Sequence, residues 1–495
     1  MSENNKEFFQ RVGRIPFHGI GLSVDVYTPD IFELTDQLIH HGLSYGYLEV
    51  FKADQSALDK VRFCRPSALL EYHADGLWVT QPDWTDVYPY EDELRTATAH
   101  LRSMGCFWIN QECATKQIGG HSFGTYLPPL LLESSACMTA SNVELAQRYL
   151  DEHFGDNTLH SPLFLLETPP LTYFILGNLG YADFFRMIAD RCACGFVLDI
   201  GHIWTVYRYT GVWENQTLEQ FLEEFLNEFP MERVVQIHIA GLDCHPAVPH
   251  EVRGHACLPN WIDAHHAPIP SMLFEMLEQV LSHPELSNVK GLAMEVDTKG
   301  IDLIVREYAW LRGRFATWEQ QEREKQQPVF ESRPQIEPFA HRTHPSACGT
   351  DRHLSYQYED YVRLVTCLEK DDVVILNTNN IHDVNELDSY RRYYLPHEIS
   401  EWGGQLKDMF PRSFRTLEGL GLEIEGFKDY WYLHPQRVCE PYDFFLLKIQ
   451  YFVEYIQAMY PQGADQVSLE AMELRNGYAL SCQLNESSMF YDRGR

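Results

Sequence analysis

The chain has 495 residues, 45% of them hydrophobic, so it can fold into one large domain and a smaller one and is not disordered as a whole. Its 71 acidic residues outnumber 39 basic ones and give a formal charge of −32. Such a surface aids solubility, and it repels phosphate backbones and anionic lipid. We therefore expect no nucleic-acid or membrane partner, and a preference for cations.

Targeting signals and cysteine usage indicate a cytoplasmic protein. The first 17 residues lack the apolar segment of a signal peptide, and no apolar run reaches the roughly 18 residues of a membrane span. The 12 cysteines are scattered, apart from the C-x-C pair Cys192 and Cys194. Reduced thiols are therefore expected, and disulfides are not.

Eight short apolar runs alternate with helix-like stretches between residues 16 and 315. The predicted strands are GIGLSVDV, YGYLEVF, SALLEYHADG, CFWINQE, LFLLE, GFVLD, VVQIHIAG and VKGLAMEVD. The predicted helices, with apolar residues at i, i+3 and i+4, include DIFELTDQLIHHG, DELRTATAHLRSMG, NVELAQRYLDEHF, LEQFLEEFLNEF and MLFEMLEQVLSH. Eight such units predict a (β/α)8 TIM-type barrel in the α/β class, with a doubly wound sheet as the alternative.

The remaining sequence predicts a linker and a second, smaller C-terminal domain. Residues 316–336 are polar and contain proline, as linkers do, and residues 337–495 are rich in Tyr and Phe. Residues 358–368 and 442–460 predict helices, and DDVVILNTNN at 371–380 predicts a strand and a turn. An α+β or mostly helical domain is expected.

Metal-capable side chains recur at or near the ends of the apolar runs and in the stretch WIDAHHAPIP. In a barrel the carboxyl ends of the strands meet at one face, where catalytic residues gather. The candidate ligands are His73, Glu112, Glu167, Asp199, His202, His238, Asp263, His265 and Glu295. Imidazoles and carboxylates without a required thiolate suit iron, manganese or zinc. Since one catalytic ion takes about three protein ligands, the set favours two or three ions.

Strand parity divides these residues further. Side chains two apart share a face, so Glu295 and Asp297 point the same way and are predicted to be catalytic, orienting ligands or moving protons. If WIDAHH is extended, Asp263 and His265 share a face and His266 points away. Taken singly, each candidate has an ordinary alternative, such as a helix cap, an ion pair or a core histidine. The prediction depends on the repetition of the pattern.

At these residues the chain resembles the multinuclear non-heme iron-dependent oxidative enzymes, whose best-known type is the methanobactin-biosynthesis oxidase. The resemblance covers most of residues 18–313. It is carried by GIGL in the first strand, HADGL at His73, LLETP at Glu167, LDIGH at Asp199 and His202, IHIAG at His238, IDAHHAPIP at Asp263 and His265, and MEVD at Glu295.

The resemblance implies a barrel that holds two or three iron ions in a mixed-valence Fe(II)/Fe(III) state and uses dioxygen as co-substrate. It implies a ribosomally synthesised precursor peptide as substrate, modified at a Cys or at a C-terminal Asp or Asn. Carried over residue by residue, the implied ligands are His73, Glu167, Asp199, His202, His238, Asp263, His265 and Glu295. Family members commonly need a partner protein that grips the leader peptide. The fused C-terminal domain is expected to replace that partner or recognise substrate, or only to stabilise the barrel or a dimer.

The sequence departs from the family pattern at two places. The family's Glu-His pair after the fourth strand is Gln111-Glu112 here, and its Gly-His after the seventh strand is Gly241-Leu242. A glutamate is a harder, anionic ligand, expected to lower the reduction potential or to alter which site fills. The loop at 242–263 is also longer than the family pattern suggests.

Two other functions compete with this one. One is a divalent-metal isomerase or endonuclease on a sugar-isomerase-like barrel, which also gathers Glu, Asp and His at strand ends. The charge of −32 argues against the nuclease. The other is a non-catalytic binding protein on a decayed barrel, and the nearly complete ligand set argues against decay.

Overall fold

The computed structural model describes residues 2–87, 89–118, 120–154, 161–170, 176–243, 262–326, 352–366, 387, 390–401, 404–433 and 443–491. Eight parallel strands within these residues form a closed barrel, in which spatial neighbours follow chain order and the first strand pairs with the last. The predicted (β/α)8 barrel is confirmed. An open doubly wound sheet is excluded, because the Gly19–Gly291 pairing between the first and last strands closes the sheet.

The strands coincide with the eight predicted runs. They are β1 Gly19–Val24, β2 Leu48–Phe51, β3 Leu70–His73, β4 Trp108–Glu112, β5 Leu163–Glu167, β6 Gly195–Asp199, β7 Val234–Ile239 and β8 Gly291–Glu295. Most are buried on both faces, which explains the continuous apolar runs. Tyr47 fills the interior beside two glycines of the closing pair: a Cβ atom on Gly291 would lie 2.5 Å from the Tyr47 hydroxyl.

Helices surround the barrel, as predicted. They are α1 Glu3–Val12, α2 Ile31–His40, α3 Gln55–Cys64, α4 Trp84–Val87, α5 Tyr90–Met104, α6 Glu133–Phe154, α7 Tyr181–Arg191, α8 Ile200–Tyr209, α9 Leu218–Glu228, α10 Ser271–Leu281 and α11 Ile301–Lys325. Helix α1 was not predicted. It covers the amino-terminal end of the barrel, where Phe8 and Val12 pack with Trp108 and Leu165 in one buried cluster.

The linker prediction is wrong for its first ten residues, because α11 continues to Lys325. Two of its charged side chains, Glu319 and Glu322, are buried, whereas Arg323, Glu324 and Lys325 are exposed. Glu319 is 7% exposed, and its Oε1 accepts the backbone N–H of Ile20 at 3.1 Å. Its other oxygen accepts from Arg312 at 2.6 Å. The polar composition here belongs to the last turns of a helix, not to an extended connection.

The described C-terminal residues are helical. The helices are α12 Arg352–Thr366, a π-helical turn Tyr390–Tyr394, α13 Leu395–Glu401, α14 Leu406–Met409, α15 Pro411–Gly419, α16 Ile424–Trp431, α17 Asp443–Met459 and α18 Ala464–Tyr491. Both predicted helices are present within these bounds, and the predicted strand at 371–380 lies outside the described residues. No described helix is both long and apolar enough to cross a membrane.

The C-terminal helices pack on a β-hairpin that follows β4, formed by Thr115–Ile118 and His121–Leu127. Trp431 Nε1 donates to the carbonyl of Ser122 at 2.8 Å, and the Tyr361 hydroxyl donates to that of Pro128 at 3.0 Å. Because β4 ends at the carboxyl-terminal face of the barrel, these contacts attach the C-terminal helices to the face where catalytic residues gather.

Candidate metal centre

Metal-capable side chains from seven segments converge at the carboxyl-terminal end of the barrel interior. Alternation along each strand explains the convergence. On β5, for example, Leu165 faces the closed end of the interior and Glu167, two residues on, faces the open end. All nine predicted ligands and Asp297 fall within four overlapping groups. Within each group the possible ligand atoms lie within 4.8 Å of one another.

We name the groups by position. The side group is His73, Glu112 and Glu167; the inner group is Glu167, Asp199, His238 and Glu295; the outer group is His202, Asp263 and His265; the rim group is His265, Glu295 and Asp297. The side and inner groups are buried, whereas the His265 side chain is 19% exposed and that of Asp297 34%. The centre is therefore most open to solvent on the side of His265.

Glu167 joins the side group to the inner group. Its Oε2 lies 3.2 Å from His73 Nε2, and its Oε1 lies 3.0 Å from His238 Nδ1. The Asn110 side-chain amide donates to Oε2 at 2.5 Å and orients the carboxylate. A carboxylate with one oxygen toward each group can bridge two cations. The arrangement is thus suited to adjacent ions rather than to isolated ones.

Two imidazoles are held so that Nε2 points into the centre. His202 Nδ1 lies 2.5 Å from the Thr168 carbonyl, and its Nε2 lies 2.9 Å from Asp263 Oδ2. His73 Nδ1 lies 3.0 Å from the carbonyl of Ala74. A carbonyl accepts only from N–H, so both rings carry their proton on Nδ1 when neutral. Nε2 is then free to bind a cation.

The stretch WIDAHHAPIP supplies Asp263 and His265, as predicted, but only its start is extended. Ile262–Asp263 pairs with Leu242–Asp243, and His265 and His266 lie in the turn that follows. His265 Nε2 lies 3.5 Å from Asp263 Oδ2, and its Nδ1 contacts Asp297 Oδ1. His266 is exposed, but it owes this to the turn and not to strand parity, because the stretch is not extended at this point.

Negative charge exceeds positive charge in this centre. Four imidazoles face seven carboxylates: Glu49, Glu112, Glu167, Asp199, Asp263, Glu295 and Asp297. Burial raises the pKa of Glu112 well above its usual value, and the charge of Glu167 adds to the rise. Burial likewise raises the pKa of Asp199 to about 6, with His202 opposing. Glu112 and Asp199 are therefore costly to keep ionised unless cations neutralise them.

Unpartnered atoms show that the centre fits a bound metal. Among the described residues, buried atoms without a hydrogen-bond partner include Glu112 Oε2, Asp199 Oδ2, Asp263 Oδ1 and His265 Nε2. Buried polar atoms are normally satisfied, so these atoms point to missing ligands. The donors are nitrogen and oxygen without thiolate, a set that suits iron, manganese or zinc. Glu112 lies in the side group, where the family pattern has histidine.

Glu49 and Asn110 were not predicted as site residues. Glu49 of β2 is fully buried, with Oε2 2.8 Å from His238 Nε2. Glu49 lies inside an otherwise apolar run, and Asn110 lies two residues before Glu112, on the same strand face. A search for polar residues with interior parity, instead of for residues at strand ends, would have found them.

Comparison with known protein families identifies the family of the chain. A sequence profile of the RiPP precursor modification enzyme family MbnB/TglH/ChrH matches residues 49–304, which is more than half of the chain. RiPPs are ribosomally synthesised and post-translationally modified peptides. The chain belongs to this family. The resemblance inferred from the motifs is thereby confirmed, and the chain is a member of a family of peptide-modifying enzymes.

No curated protein sequence matches the chain. Solved structures similar to it include endonuclease IV from Thermus thermophilus, with 13% identity over 61% of this chain and 99% of that one, at a TM-score of 0.35. A D-allulose 3-epimerase from Methylomonas sp. has 13% identity over 61% and 99% of the chains, at 0.37. With scores this low, these similarities carry no argument about the activity.

Proposed function

We propose that the chain is a dioxygen-using, multinuclear non-heme iron enzyme that oxidatively modifies a ribosomally synthesised precursor peptide at a Cys or at a C-terminal Asp or Asn. The observation that supports it most is the chain of donor groups linked by shared carboxylates. Glu167 belongs to two groups and Glu295 to two. Membership of a peptide-modifying family supports the substrate class.

The side, inner and outer groups would each hold one ion. Iron bound there would supply one-electron redox chemistry and the activation of dioxygen. Each group offers three or four protein ligands, which leaves positions for a substrate thiolate or carboxylate. Substrate would approach past His265, the more exposed side of the centre.

Asp297 and Glu295 have separate tasks in this proposal. Asp297 holds the Nδ1 proton of His265, so that Nε2 faces Asp263 and the outer group. Its 34% exposure lets it exchange a proton with solvent or substrate. Glu295, 5% exposed with Oε2 3.2 Å from His238 Nδ1, is placed to bind a cation instead.

We further propose that the C-terminal helices take the place of a separate leader-binding partner. Tyr394 is buried against the hairpin after β4, with its hydroxyl 3.4 Å from Thr125 Oγ1. Burial, with the charges of Glu398 and Asp263, raises the pKa of this hydroxyl well above its usual value. The helices thus contact the hairpin that follows β4, at the carboxyl-terminal end of the barrel. Hydrogen exchange of the full chain with a cognate precursor should protect residues 390–401; protection confined to barrel loops would contradict this role.

The iron proposal is tested by preparing the chain anaerobically and measuring its metal content and oxygen uptake. We expect two or more irons per chain, a mixed-valence spectroscopic signal, and oxygen consumption on addition of a Cys-containing precursor peptide. Protein loaded with zinc is the matched control and should consume no oxygen. Stoichiometric zinc or manganese as isolated, with no iron-dependent oxygen uptake, would contradict the proposal and favour an isomerase-like enzyme.

A further inference from the structure

Glu49 contacts a metal-capable imidazole but belongs to none of the four groups. It is fully buried on β2, and its Oε2 lies 2.8 Å from His238 Nε2. The Ser23 hydroxyl of β1 donates to the same oxygen at 2.9 Å, and Oε1 has no partner among the described residues. No third donor joins Glu49 and His238 closely enough to form a further group in the described part of the chain.

The opposite edge of His238 faces the inner group. Nδ1 lies 3.0 Å from Glu167 Oε1 and 3.2 Å from Glu295 Oε2. Ligand atoms that share one cation at bond lengths of about 2.0–2.2 Å lie roughly 3 Å apart when their bonds are perpendicular. Nδ1 is therefore the atom of His238 that is placed to bind.

Comparison with two other imidazoles supports this orientation. In His73 and His202 one nitrogen is held by a backbone carbonyl and the other faces a group. For His238, Glu49 offers an acceptor oxygen on the side away from the inner group. Without a cation, the Nδ1–H of His238 is directed at Glu167, and Nε2 makes no well-aligned hydrogen bond. A cation on Nδ1 requires the ring proton to be on Nε2, beside Glu49.

We propose that Glu49 is a positioning residue: it accepts the Nε2 proton of His238 and so holds the ring in the tautomer whose Nδ1 binds the inner-group ion. This inference depends on the proposed function, because it requires an ion in the inner group. A carboxylate acceptor orients the ring and raises its basicity, and loss of such a partner typically weakens metal binding about 10–100-fold. The Ser23 hydroxyl fixes the carboxylate in turn.

The test compares Glu49→Gln and Glu49→Ala with a matched control at the closed end of the barrel. Glu71 is equally buried and pairs with an imidazole at a similar distance, His18 Nε2 at 2.7 Å, but belongs to no metal-capable group. Anaerobic Fe(II) titrations against a competing chelator give the affinity of each ion, and circular dichroism confirms folding. We expect Glu49→Gln, which keeps an acceptor oxygen, to lower the affinity for one ion by about tenfold. Glu49→Ala should lower that affinity by about 100-fold. Glu71→Gln should lower the melting temperature and leave every affinity unchanged.

Wild-type affinities in folded Glu49→Gln and Glu49→Ala proteins would overturn the inference. Complete loss of one ion from Glu49→Gln would also overturn it, because a direct ligand, not a positioning residue, behaves so. If Glu49→Ala does not fold, Glu49→Gln alone decides between these results. Failure of the proposed function is distinct: the wild-type chain itself would then bind no iron.

Discussion

The two ends of the barrel interior use the same side chains for opposite purposes. At the closed end, Glu71 Oε1 lies 2.7 Å from His18 Nε2, and Oε2 accepts two backbone N–H groups, from Phe107 and Trp108. His18 Nδ1 lies 2.8 Å from the Pro16 carbonyl. Each polar atom of this pair has a partner. At the open end, buried oxygens and nitrogens of the donor groups lack partners among the described residues.

The difference separates a structural polar pair from a binding site. Burying a Glu–His pair is tolerable when every lone pair and proton is satisfied inside the protein. At the open end, buried polar atoms lack hydrogen-bond partners and carboxylates outnumber imidazoles. Such an arrangement is suited to binding cations. Residue type alone does not distinguish the two ends, whereas the pattern of satisfied atoms does.

The largest expected effect comes from exchanging one carboxylate at each end. Glu167→Gln should lower the affinity for the ions of both the side and inner groups by more than about 100-fold, because Glu167 contributes to both groups. Glu71→Gln should cost about 1–3 kcal/mol of unfolding free energy, since its buried partners are left less well satisfied, with metal content unchanged. Metal analysis and denaturant unfolding measure the two effects. Equal metal loss in both variants would show that the two ends of the barrel do not differ in metal binding.

The next effect separates two adjacent histidines. His265→Ala should lose the outer-group ion, since His265 is one of three ligands there. His266→Ala, in the same turn but exposed, should keep wild-type iron content. The measurement is iron per chain after anaerobic reconstitution. Comparable loss from both variants would show that the difference in exposure between these two rings does not separate ligand from non-ligand.

Removal of metal should lower the stability of the protein only by the amount that metal binding at the open end provides. Chelation should lower the melting temperature by at least roughly 5–10 °C, because each ion at 1,000 times its dissociation constant adds about 4 kcal/mol. Calorimetry with and without chelator measures the change. If chelation lowers the melting temperature of Glu71→Gln by the same amount as that of the wild-type chain, the two ends contribute to stability independently. A melting temperature that does not respond to chelator would mean that the carboxylates are neutralised by protons alone.

The smallest effect is a release of protons on metal binding. Burial lowers the pKa of His73, but the hydrogen bond to Glu167 and the charge of Glu49 outweigh it and raise the pKa to about 9. At pH 7 the metal-free ring is therefore protonated and must lose a proton to bind. Apparent affinity should rise up to about tenfold per pH unit below pH 9. Titration calorimetry in buffers of different ionisation enthalpy measures this release, and buffer-independent heats would contradict it.

Much of the fold could be predicted because each level of the sequence agreed with the next. Runs such as LFLLE and GFVLD are continuously apolar because they are buried on both faces, which is typical of parallel strands. Their regular alternation with helices predicted a closed barrel. The extent of α11 could not be predicted. Residues such as Glu319 carry charges that satisfy one another inside the protein, and composition alone cannot distinguish this from exposure to solvent.

The candidate site shows the same limit. Residues at strand ends were recognisable because the barrel gathers them on one face. Glu49 was not, since a single carboxylate within a buried strand looks the same whether it completes a structural pair, as Glu71 does, or faces a ligand. Only the positions of its neighbours decide.

We propose that the nitrogen and oxygen atoms without partners at the open end of the barrel are iron ligands. The most direct measurement is anomalous diffraction at the iron absorption edge from crystals of the anaerobically prepared chain. Separate iron peaks are expected at the side, inner and outer groups, with the inner and side ions sharing Glu167. Iron found elsewhere, or only ordered water among these carboxylates, would contradict it.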